Sequence, residues 1–406
     1  MEVKKGFKQT EVGVIPEDWE VVVLKDLINK NKPIRYGIVQ PGKYDPNGRF
    51  MIRGQDYSFG WVSTDQIFRV SRFVEERYKN ARLGTGDIIL TIVGAGTGHL
   101  EIIPNWLDGS NITQTTAKIS IDSAKANTRF CKYYLQSNQG QNQIALNIKG
   151  AAQPGLNIRD IKTFTLPLPS TLTEQNAIAS ILSDTDTLIL SLEKLIAKKR
   201  ANEEGAMHGL LKPKKGWVMK KIGEVANTYS GGTPSTSIIS YWGGEIPWIS
   251  SGDLNKGIIY HVEGKITQEG LDNSSAKMIE EDTLLIALYG ATAGVTAISK
   301  IKAAINQAVL AIIPKLDDYK FLFYQLKQLK NWIISTYTQG GQPNLSGDIV
   351  KSIELYFPSI SEQTRIVNIL SDMDAEIAAL ETKLAKYKQI KQGMMQTLLT
   401  GRIRLV

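Results

Sequence analysis

The sequence repeats itself, and this repeat constrains the fold more than any other feature. A series of short motifs lies in a fixed order within residues 153–211, and residues 342–399 carry the same series. Chance does not keep so many identities in one order, so the chain of 406 residues holds two copies of one unit. The matched motifs are Gln153-Pro154 with Gln342-Pro343, Pro169-Ser170 with Pro358-Ser359, Glu174-Gln175 with Glu362-Gln363, Ile-Leu-Ser-Asp at 181–184 with the same letters at 369–372, and Asp186 with Asp374.

The stretches before these motifs also correspond, but less closely. Trp19 matches Trp217, Gln114 matches Gln307, and the glycine-rich residues 93–98 match residues 289–294. The order along the chain is therefore variable part, similar part, variable part, similar part. Two copies that keep one part and diverge in the other indicate a shared frame that carries recognition surfaces for two different targets.

The similar part of each copy has the apolar spacing of a long helix. Two apolar series recur every seven residues, which is the pattern of a coiled-coil seam. Residues 174–200 alone would extend about 40 Å at ~1.5 Å per residue, against about 34 Å for one turn of B-DNA. The sequence therefore predicts two long antiparallel helices in a coiled coil, with an ordinary helical hairpin as the alternative. The seam residues are Ile178, Leu182, Ile189, Leu192 and Ile196 in the first helix and Ile366, Leu370, Met373, Ile377, Leu380 and Leu384 in the second.

Polar caps and short β-like runs divide the chain further. Thr171 or Thr173 is expected to cap the first long helix and Ser361 the second, because Ser and Thr are preferred N-caps. In the variable parts, strand-like runs at 87–93, 117–121, 245–250 and 283–288 precede helical patches at 127–138 and 319–337. This mixture predicts an α+β fold. The predicted domains are 1–157 and 213–345 for the variable parts, and 158–212 and 346–406 for the helical parts.

The net charge and the single cysteine indicate the kind of partner and the cellular setting. The net charge is +8 and the pI is about 9.2, which favours a polyanionic partner, although a basic protein without one is equally compatible. No apolar run reaches the roughly 18 residues of a membrane span, and no apolar leader segment begins the chain. Cys131 is the single cysteine, which suits a reducing, cytoplasmic setting.

Motifs of the common cofactor and metal sites do not occur in the sequence. Residues 93–98 (Val-Gly-Ala-Gly-Thr-Gly) lack the dinucleotide-binding spacing and are followed too soon by Pro104, so a structural turn is expected there. His99, His208 and His261 are scattered, and no phosphate-binding P-loop occurs. The sequence therefore predicts no metal, no cofactor and no catalytic centre in this chain.

Several motifs closely resemble one family. Ser-Gly-Gly-Thr-Pro-Ser at 230–235, the aromatic-rich stretch at 241–254, and residues 13–20 and 339–345 resemble the target recognition domains of type I restriction–modification specificity subunits. The Glu-Gln…Ile-Leu-Ser-Asp helices resemble that family's two conserved spacers, and the resemblance covers essentially the whole chain. The first domain departs from the pattern, because it has Tyr36-Gly37-Ile38 where the second has its Gly-Gly-Thr-Pro loop.

The resemblance implies an architecture and a function. The fold would be two globular α/β target recognition domains separated by two long antiparallel helices, as a pseudo-twofold tandem repeat. Each domain would read one half of a split, asymmetric double-stranded DNA target from the major groove. The subunit itself would be non-catalytic; two methyltransferase subunits would bring S-adenosylmethionine, and motor–nuclease subunits would join for ATP-dependent cleavage. A two-headed scaffold for a protein ligand is the alternative.

Candidate DNA contacts lie in the loops of the variable domains. Arg, Lys and Gln side chains meet base edges, and hydroxyl groups often meet phosphates. Each candidate has the alternative of merely shaping its turn. The candidates are Tyr36, Lys43, Arg53 and Gln55 in the first domain and Thr233, Ser235, Thr236, Ser251 and Tyr289 in the second.

Overall fold

The chain forms two compact units that share the two long helices. The structure is a computed structural model that describes residues 5–150, 154–337 and 344–405. Unit 1 comprises residues 1–193 and 382–406, and unit 2 comprises residues 194–381. Residues 339–343 of the recognition-domain motif and Gln153 of the repeat lie outside the described residues. The predicted domain boundaries separate parts by role rather than by compactness, and they stay predictions.

Unit 1 combines short strands with short helices. Its sheets are β4-β10-β7-β8, β6-β5-β9 and the pairs β1-β2 and β3-β11. The strands are β1 Phe7–Thr10, β2 Gly13–Pro16, β3 Glu20–Val23, β4 Arg35–Tyr36, β5 Arg49–Ile52, β6 Arg69–Val70, β7 Ile88–Thr91, β8 Leu100–Ile102, β9 Asn111–Ile112, β10 Thr116–Ile119 and β11 Thr165–Leu168. The helices are α1 Leu24–Leu27, α2 Arg72–Glu76, α3 Thr128–Gln136, α4 Asn138–Asn147 and α5 Ile158–Ile161, before the long helix α6 Leu172–Leu210.

Unit 2 repeats this arrangement. Its sheets are β13-β21-β18-β19-β15, β16-β14-β20-β17 and the pair β12-β22. The strands are β12 Val218–Lys221, β13 Ala226–Ser230, β14 Trp242–Ile249, β15 Ile258–Ile259, β16 Lys265–Ile266, β17 Lys277–Ile279, β18 Thr283–Ala287, β19 Thr296–Ser299, β20 Ala303–Ile305, β21 Val309–Pro314 and β22 Glu354–Phe357. The helices are α7 Ile222–Val225, α8 Gln268–Asp272, α9 Tyr319–Tyr337, α10 Gly347–Ser352 and the second long helix, α11 Ile360–Leu398.

The two units have the same strand order, which establishes the duplication in three dimensions. The order β4-β10-β7-β8 of unit 1 recurs as β13-β21-β18-β19, and β6-β5-β9 recurs as β16-β14-β20. Even the register is kept: Ile52 pairs in parallel with Ile112 in unit 1, and Ile249 pairs in parallel with Ile305 in unit 2. The central strands β7 and β18 are fully buried, so their continuous apolar runs follow from burial on both faces of the sheet.

The long helices pack against each other in opposite directions within each unit. In unit 1, Lys391 Nζ lies 2.6 Å from Asp186 Oδ1 and Lys388 Nζ lies 2.7 Å from Glu193 Oε1. In unit 2, Lys199 Nζ lies 2.6 Å from Glu376 Oε1. Higher residue numbers of α6 therefore meet lower numbers of α11 in unit 1. Each helix has 39 residues, longer than the 174–200 segment expected, and the basic residues 198–200 lie inside α6.

The residues predicted to form the seam differ in burial. Seven of them are buried: Ile178, Leu182, Leu192, Ile196, Ile366, Leu370 and Ile377. The remaining four, Ile189, Met373, Leu380 and Leu384, are half-buried. Ile178 and Leu182 belong to the core of unit 1, and Ile366 and Leu370 belong to the core of unit 2. The coiled-coil seam therefore stays a prediction.

The start of one helix was predicted correctly and the other was wrong. The Glu174 amide donates to Thr171 Oγ1 at 3.2 Å, which makes Thr171 the cap of α6. For α11 the Glu362 amide donates to Ser359 Oγ at 3.3 Å. Ser361 is therefore not the cap, because the helix begins earlier than the acidic residue suggests and Ser361 already lies in its first turn. No helix in the described parts of the chain is long and apolar enough to cross a membrane.

Candidate functional site

Four loops of unit 1 enclose a surface cleft of about 600 Å³. The loops are residues 38–41 after β4, 53–58 after β5, 91–96 after β7 and 113–115 after β9. Arg53 and Gln55, two of the predicted DNA contacts, line this cleft. Tyr36 and Lys43 are exposed but lie outside its lining. The glycine-rich residues 93–98 form a turn at the cleft wall, where the Thr97 amide donates to the Gly94 carbonyl at 3.0 Å.

Arg53 is held by an internal partner. Its guanidinium donates from Nη2 to Asp56 Oδ1 at 2.9 Å and from Nη2 to the Gln66 carbonyl at 3.3 Å. Its backbone amide also donates to Asp56 Oδ2 at 2.8 Å, and the Asp56 side chain is buried. One role of Arg53 is therefore to neutralise a buried carboxylate. Its contact with a base stays a prediction, and Gln55, which also lines the cleft, is exposed.

A buried tyrosine holds the 53–58 loop in position behind the cleft lining. Tyr57 is 1 % exposed, and its hydroxyl lies 2.7 Å from Thr91 Oγ1. Burial raises the pKa of the Tyr57 phenol to about 12, against the opposing hydrogen bonds of Thr91 and Thr116. The phenol therefore stays neutral, and its hydrogen bond with Thr91 joins the 53–58 loop to strand β7.

Unit 2 carries the same loops with different side chains. Residues 231–234, 250–256, 288–294 and 306–308 occupy the equivalent positions, as the shared register shows. Ser250 takes the place of Arg53: its amide and its hydroxyl donate to Asp253 Oδ2 at 3.0 and 2.8 Å. The frame around the aspartate is thus kept, while the cationic side chain that faces the cleft in unit 1 is replaced by a small hydroxyl.

The predicted contacts of unit 2 lie on these loops. The Thr233 hydroxyl donates to Gln307 Oε1, and Ser235 Oγ lies 2.8 Å from Ser237 Oγ. Thr236 is exposed and Ser251 is half-buried. Tyr289 is 37 % exposed and its backbone bridges to Asn344. Thr233 therefore has a partner within its own loop system, whereas Thr236 and Tyr289 present free surface.

Two glycines allow the first cleft loop to lie directly on the neighbouring strand. A Cβ added at Gly37 would lie 1.7 Å from the Ile112 carbonyl oxygen, and one added at Gly231 would lie 1.8 Å from the Ile305 carbonyl oxygen. The hydrogen bonds agree: the Ile38 amide donates to Ile112 at 2.7 Å, and the Gly232 amide donates to Ile305 at 3.0 Å. The two loops differ in sequence, and the shared close approach shows that their backbones are equivalent.

The repeated Ser-Asp-x-Asp motif joins helix α3 to α6 in unit 1 and helix α9 to α11 in unit 2. Tyr133 Oη donates to Asp186 Oδ2 at 2.8 Å in unit 1, and Tyr324 Oη donates to Asp374 Oδ2 at 2.5 Å in unit 2. Burial, with the neighbouring carboxylate, raises the pKa of both phenols, so they stay donors. The sequence shows the repeated aspartates, but it gives no indication that they accept hydrogen bonds from these tyrosines.

Comparison with known proteins shows which protein family matches the chain. A family model described as type I restriction modification DNA specificity domain matches residues 16–199 and again residues 214–392. The MjaX specificity subunit of Methanocaldococcus jannaschii, a putative type I restriction enzyme subunit, is 27 % identical over 99 % of this chain and 97 % of that protein. The EcoBI specificity subunit of Escherichia coli is 30 % identical over 49 % of this chain and 41 % of that protein.

Solved structures share the fold. The type I restriction–modification S subunit of M. genitalium superimposes with a TM-score of 0.62 at 18 % identity, over 98 % of both chains. A chain from a study of complex assembly and conformational transition of the type I R-M system gives a TM-score of 0.59 at 18 % identity, over 96 % of this chain and 99 % of that one. At these identities the likeness concerns the fold alone.

Proposed function

This chain belongs to the family of type I restriction–modification specificity subunits, and we propose that each of its units reads one half of a split double-stranded DNA target. Catalysis in such systems resides in other subunits. The proposal assigns methylation and cleavage to partner proteins and assigns the choice of sequence to this chain.

The main support for the proposal is that the two units share the backbone geometry of a cleft loop but differ in the side chains on it. The 53–56 and 250–253 loops share their capping geometry. Yet Arg53 stands where unit 2 has Ser250, and Gln55 stands where unit 2 has Gly252. A guanidinium or an amide can pair with base edges in a bidentate manner, whereas a glycine cannot. Two loops with the same backbone conformation but different side chains are suited to two different half-sites, and therefore to an asymmetric target.

The exposed loop residues divide into two expected roles. Gln55 lines the cleft and offers an amide to a base edge. Lys43, Ser235 and Thr236 are exposed cations and hydroxyls of the kind that hold phosphates. Tyr36, Arg53, Thr233, Ser251 and Tyr289 complete the proposed contact set, with Arg53 also bound to Asp56.

The paired helices are proposed to form a coiled coil that sets the gap between the half-sites. Support comes from the apolar seam and from the ion pairs that join α6 and α11 in each unit. Their similar outer faces would dock two methyltransferase subunits that bind S-adenosylmethionine, with motor–nuclease subunits joining the full complex. A reducing, cytoplasmic setting belongs to the same proposal, because Cys131 is a buried free thiol.

A binding experiment tests the proposal. The chain is purified with its methyltransferase subunits, and binding is measured on duplexes that carry both half-sites, either one alone or neither. We expect tight binding only with both halves, and a binding constant that falls linearly with salt on logarithmic scales, because phosphate contacts release counterions. Sequence-independent or salt-independent binding contradicts the proposal and favours the protein-scaffold alternative.

A further inference from the structure

Beside the cleft of unit 1, one turn presents a fully exposed aromatic ring. Phe59 has a relative exposure of 103 %. Its neighbour Ser58 lines the cleft, as does Gln55. Single exposed apolar side chains are common on protein surfaces and usually need no explanation. The surroundings of Phe59 distinguish it from that background.

Hydrogen bonds of the neighbouring residues anchor the turn that carries Phe59. Tyr57 is anchored to Thr91 through its hydroxyl, and its carbonyl lies 3.1 Å from His99 Nε2. Ser58 Oγ donates to the Gly54 carbonyl at 2.6 Å. Gly60 has φ +92°, a conformation that L side chains rarely adopt, and it completes the turn. These contacts fix the backbone of the turn, and the Phe59 ring projects from it into solvent.

The equivalent turn of unit 2 has a different tip. Counted from the matched aspartates Asp56 and Asp253, Phe59 corresponds to Lys256, and Gly60 corresponds to Gly257, which also has a positive φ of 68°. The Lys256 ammonium is tied back to Asp253 Oδ1 at 3.2 Å and to the His261 carbonyl at 2.9 Å. Both units thus have a glycine with positive φ at the matched position, but residues 251–256 form one continuous 3-10 helix in unit 2, whereas the 3-10 helix of unit 1 ends at Asp56. The exposed apolar tip occurs in unit 1.

We propose that Phe59 is a wedge that enters the base stack of the half-site read by unit 1. Apolar side chains inserted at a base step unstack it partly and kink the duplex, which lets more protein surface reach the DNA. The ring then stacks on a base, and the hydrogen-bonded backbone of the turn reduces the ordering cost on binding. Because flexible pyrimidine–purine steps kink most easily, Phe59 selects for such a step without any hydrogen bond.

The test uses the full chain in complex with its methyltransferase subunits. 2-Aminopurine, whose fluorescence rises when a base unstacks, is placed at each position of the half-site except the base that becomes methylated. We expect the wild-type complex to raise the signal at one step and the Phe59→Ala complex to lose both that signal and about 10- to 100-fold in affinity. A mismatch at that step should restore much of the lost affinity, because unstacking is then already provided.

Matched variants separate the wedge from other effects. Phe73 is another exposed phenylalanine of unit 1, 74 % exposed, that does not line the cleft, so Phe73→Ala should leave both readouts unchanged. Phe59→Leu should retain part of the signal. Phe59→Lys, which copies unit 2, should lose the unstacking signal and steepen the salt dependence.

The proposal rests on the proposed DNA-reading function, and the two fail differently. If the wild-type complex does not bind the split site, the function itself is wrong. If it binds and Phe59→Ala matches it in affinity and fluorescence, the wedge alone is refuted. Weaker assembly with the methyltransferase subunits in Phe59→Ala, measured by sedimentation, would instead show that Phe59 covers a protein contact.

Discussion

Arg404 fastens the C-terminal segment of unit 1 to its N-terminal segment, and its removal should be costly. The guanidinium donates to Asp18 at 2.9 and 2.8 Å and to Glu174 Oε2 at 2.8 Å. The side chain of Asp18 is half exposed, so its share is small, but that of Glu174 is 1 % exposed. Removing one partner of a fully buried ion pair costs about 3–5 kcal/mol, but the Arg404 side chain is 33 % exposed, so water can partly replace it beside Glu174. We therefore expect Arg404→Met to lower the free energy of unfolding by about 2–3 kcal/mol.

The repeat supplies a matched control for this substitution. In unit 2 the residue equivalent to Glu174 is Glu362, which meets Lys214 at 3.5 Å with its side chain 29 % exposed. Exposed pairs contribute about 0–1 kcal/mol, so Lys214→Met should be nearly neutral. Urea unfolding of the purified chain, followed by circular dichroism, measures both. The double variant Glu174→Leu with Arg404→Met should recover most of the loss, since an apolar pair replaces a buried ion pair at little cost. An Arg404→Met variant as stable as Lys214→Met would refute this reasoning.

Three further predictions follow from the same contacts. Gly37→Ala should abolish recognition of one half-site and Gly231→Ala that of the other, because each added methyl meets a carbonyl oxygen at under 2 Å; Gly205→Ala, with open space around it, should leave methylation unchanged. Burial acts to raise the pKa of Glu75, but hydrogen bonds from Arg82 and Asn111 outweigh it and hold that pKa below its ordinary value. The stabilisation is thus present above the unfolded-state pKa and is lost as pH falls through the folded-state pKa. In urea unfolding across this acid range, the free energy of unfolding should therefore change less with pH for Glu75→Gln than for wild type. An equal pH dependence of the two proteins would contradict this assignment. Seven residues inserted in each long helix should widen the gap between half-sites by about 3 base pairs, from ~10.5 Å of added helix at ~3.4 Å per base pair, as read by methylation mapping; an unchanged gap would show that the helices do not set the spacing.

Regular, local features of the fold could be predicted from the sequence. Apolar periodicity located the long helices, and α9 spans Tyr319–Tyr337 as the pattern indicated. Helix α4, Asn138–Asn147, has a polar sequence with little periodicity, and it was missed. The second cap was placed at Ser361 because the adjacent Glu362 suggested the first turn; the chain enters the helix at Ile360 instead.

The candidate site was less predictable, because its contacts join residues far apart or depend on burial. The exposed loop residues were identified by type, but nothing in the sequence shows that Asp56 is buried and would bind the Arg53 guanidinium. The Tyr133–Asp186 bond joins residues 53 positions apart. Lys199 and Arg200 pair with Glu376 and Glu381 of the other helix, 177 and 181 positions away. Long-range pairing of this kind requires the folded chain.

The central claim is that this chain chooses a split DNA sequence through two unlike units. Mapping methylated bases across the genome of cells with and without the gene tests it most directly. The account predicts a motif of two different half-sites, separated by a fixed gap, that disappears when the gene is removed. Replacing residues 213–345 by the corresponding domain of a relative should then change one half-site and keep the other. An unchanged methylation pattern after removal of the gene would contradict the account.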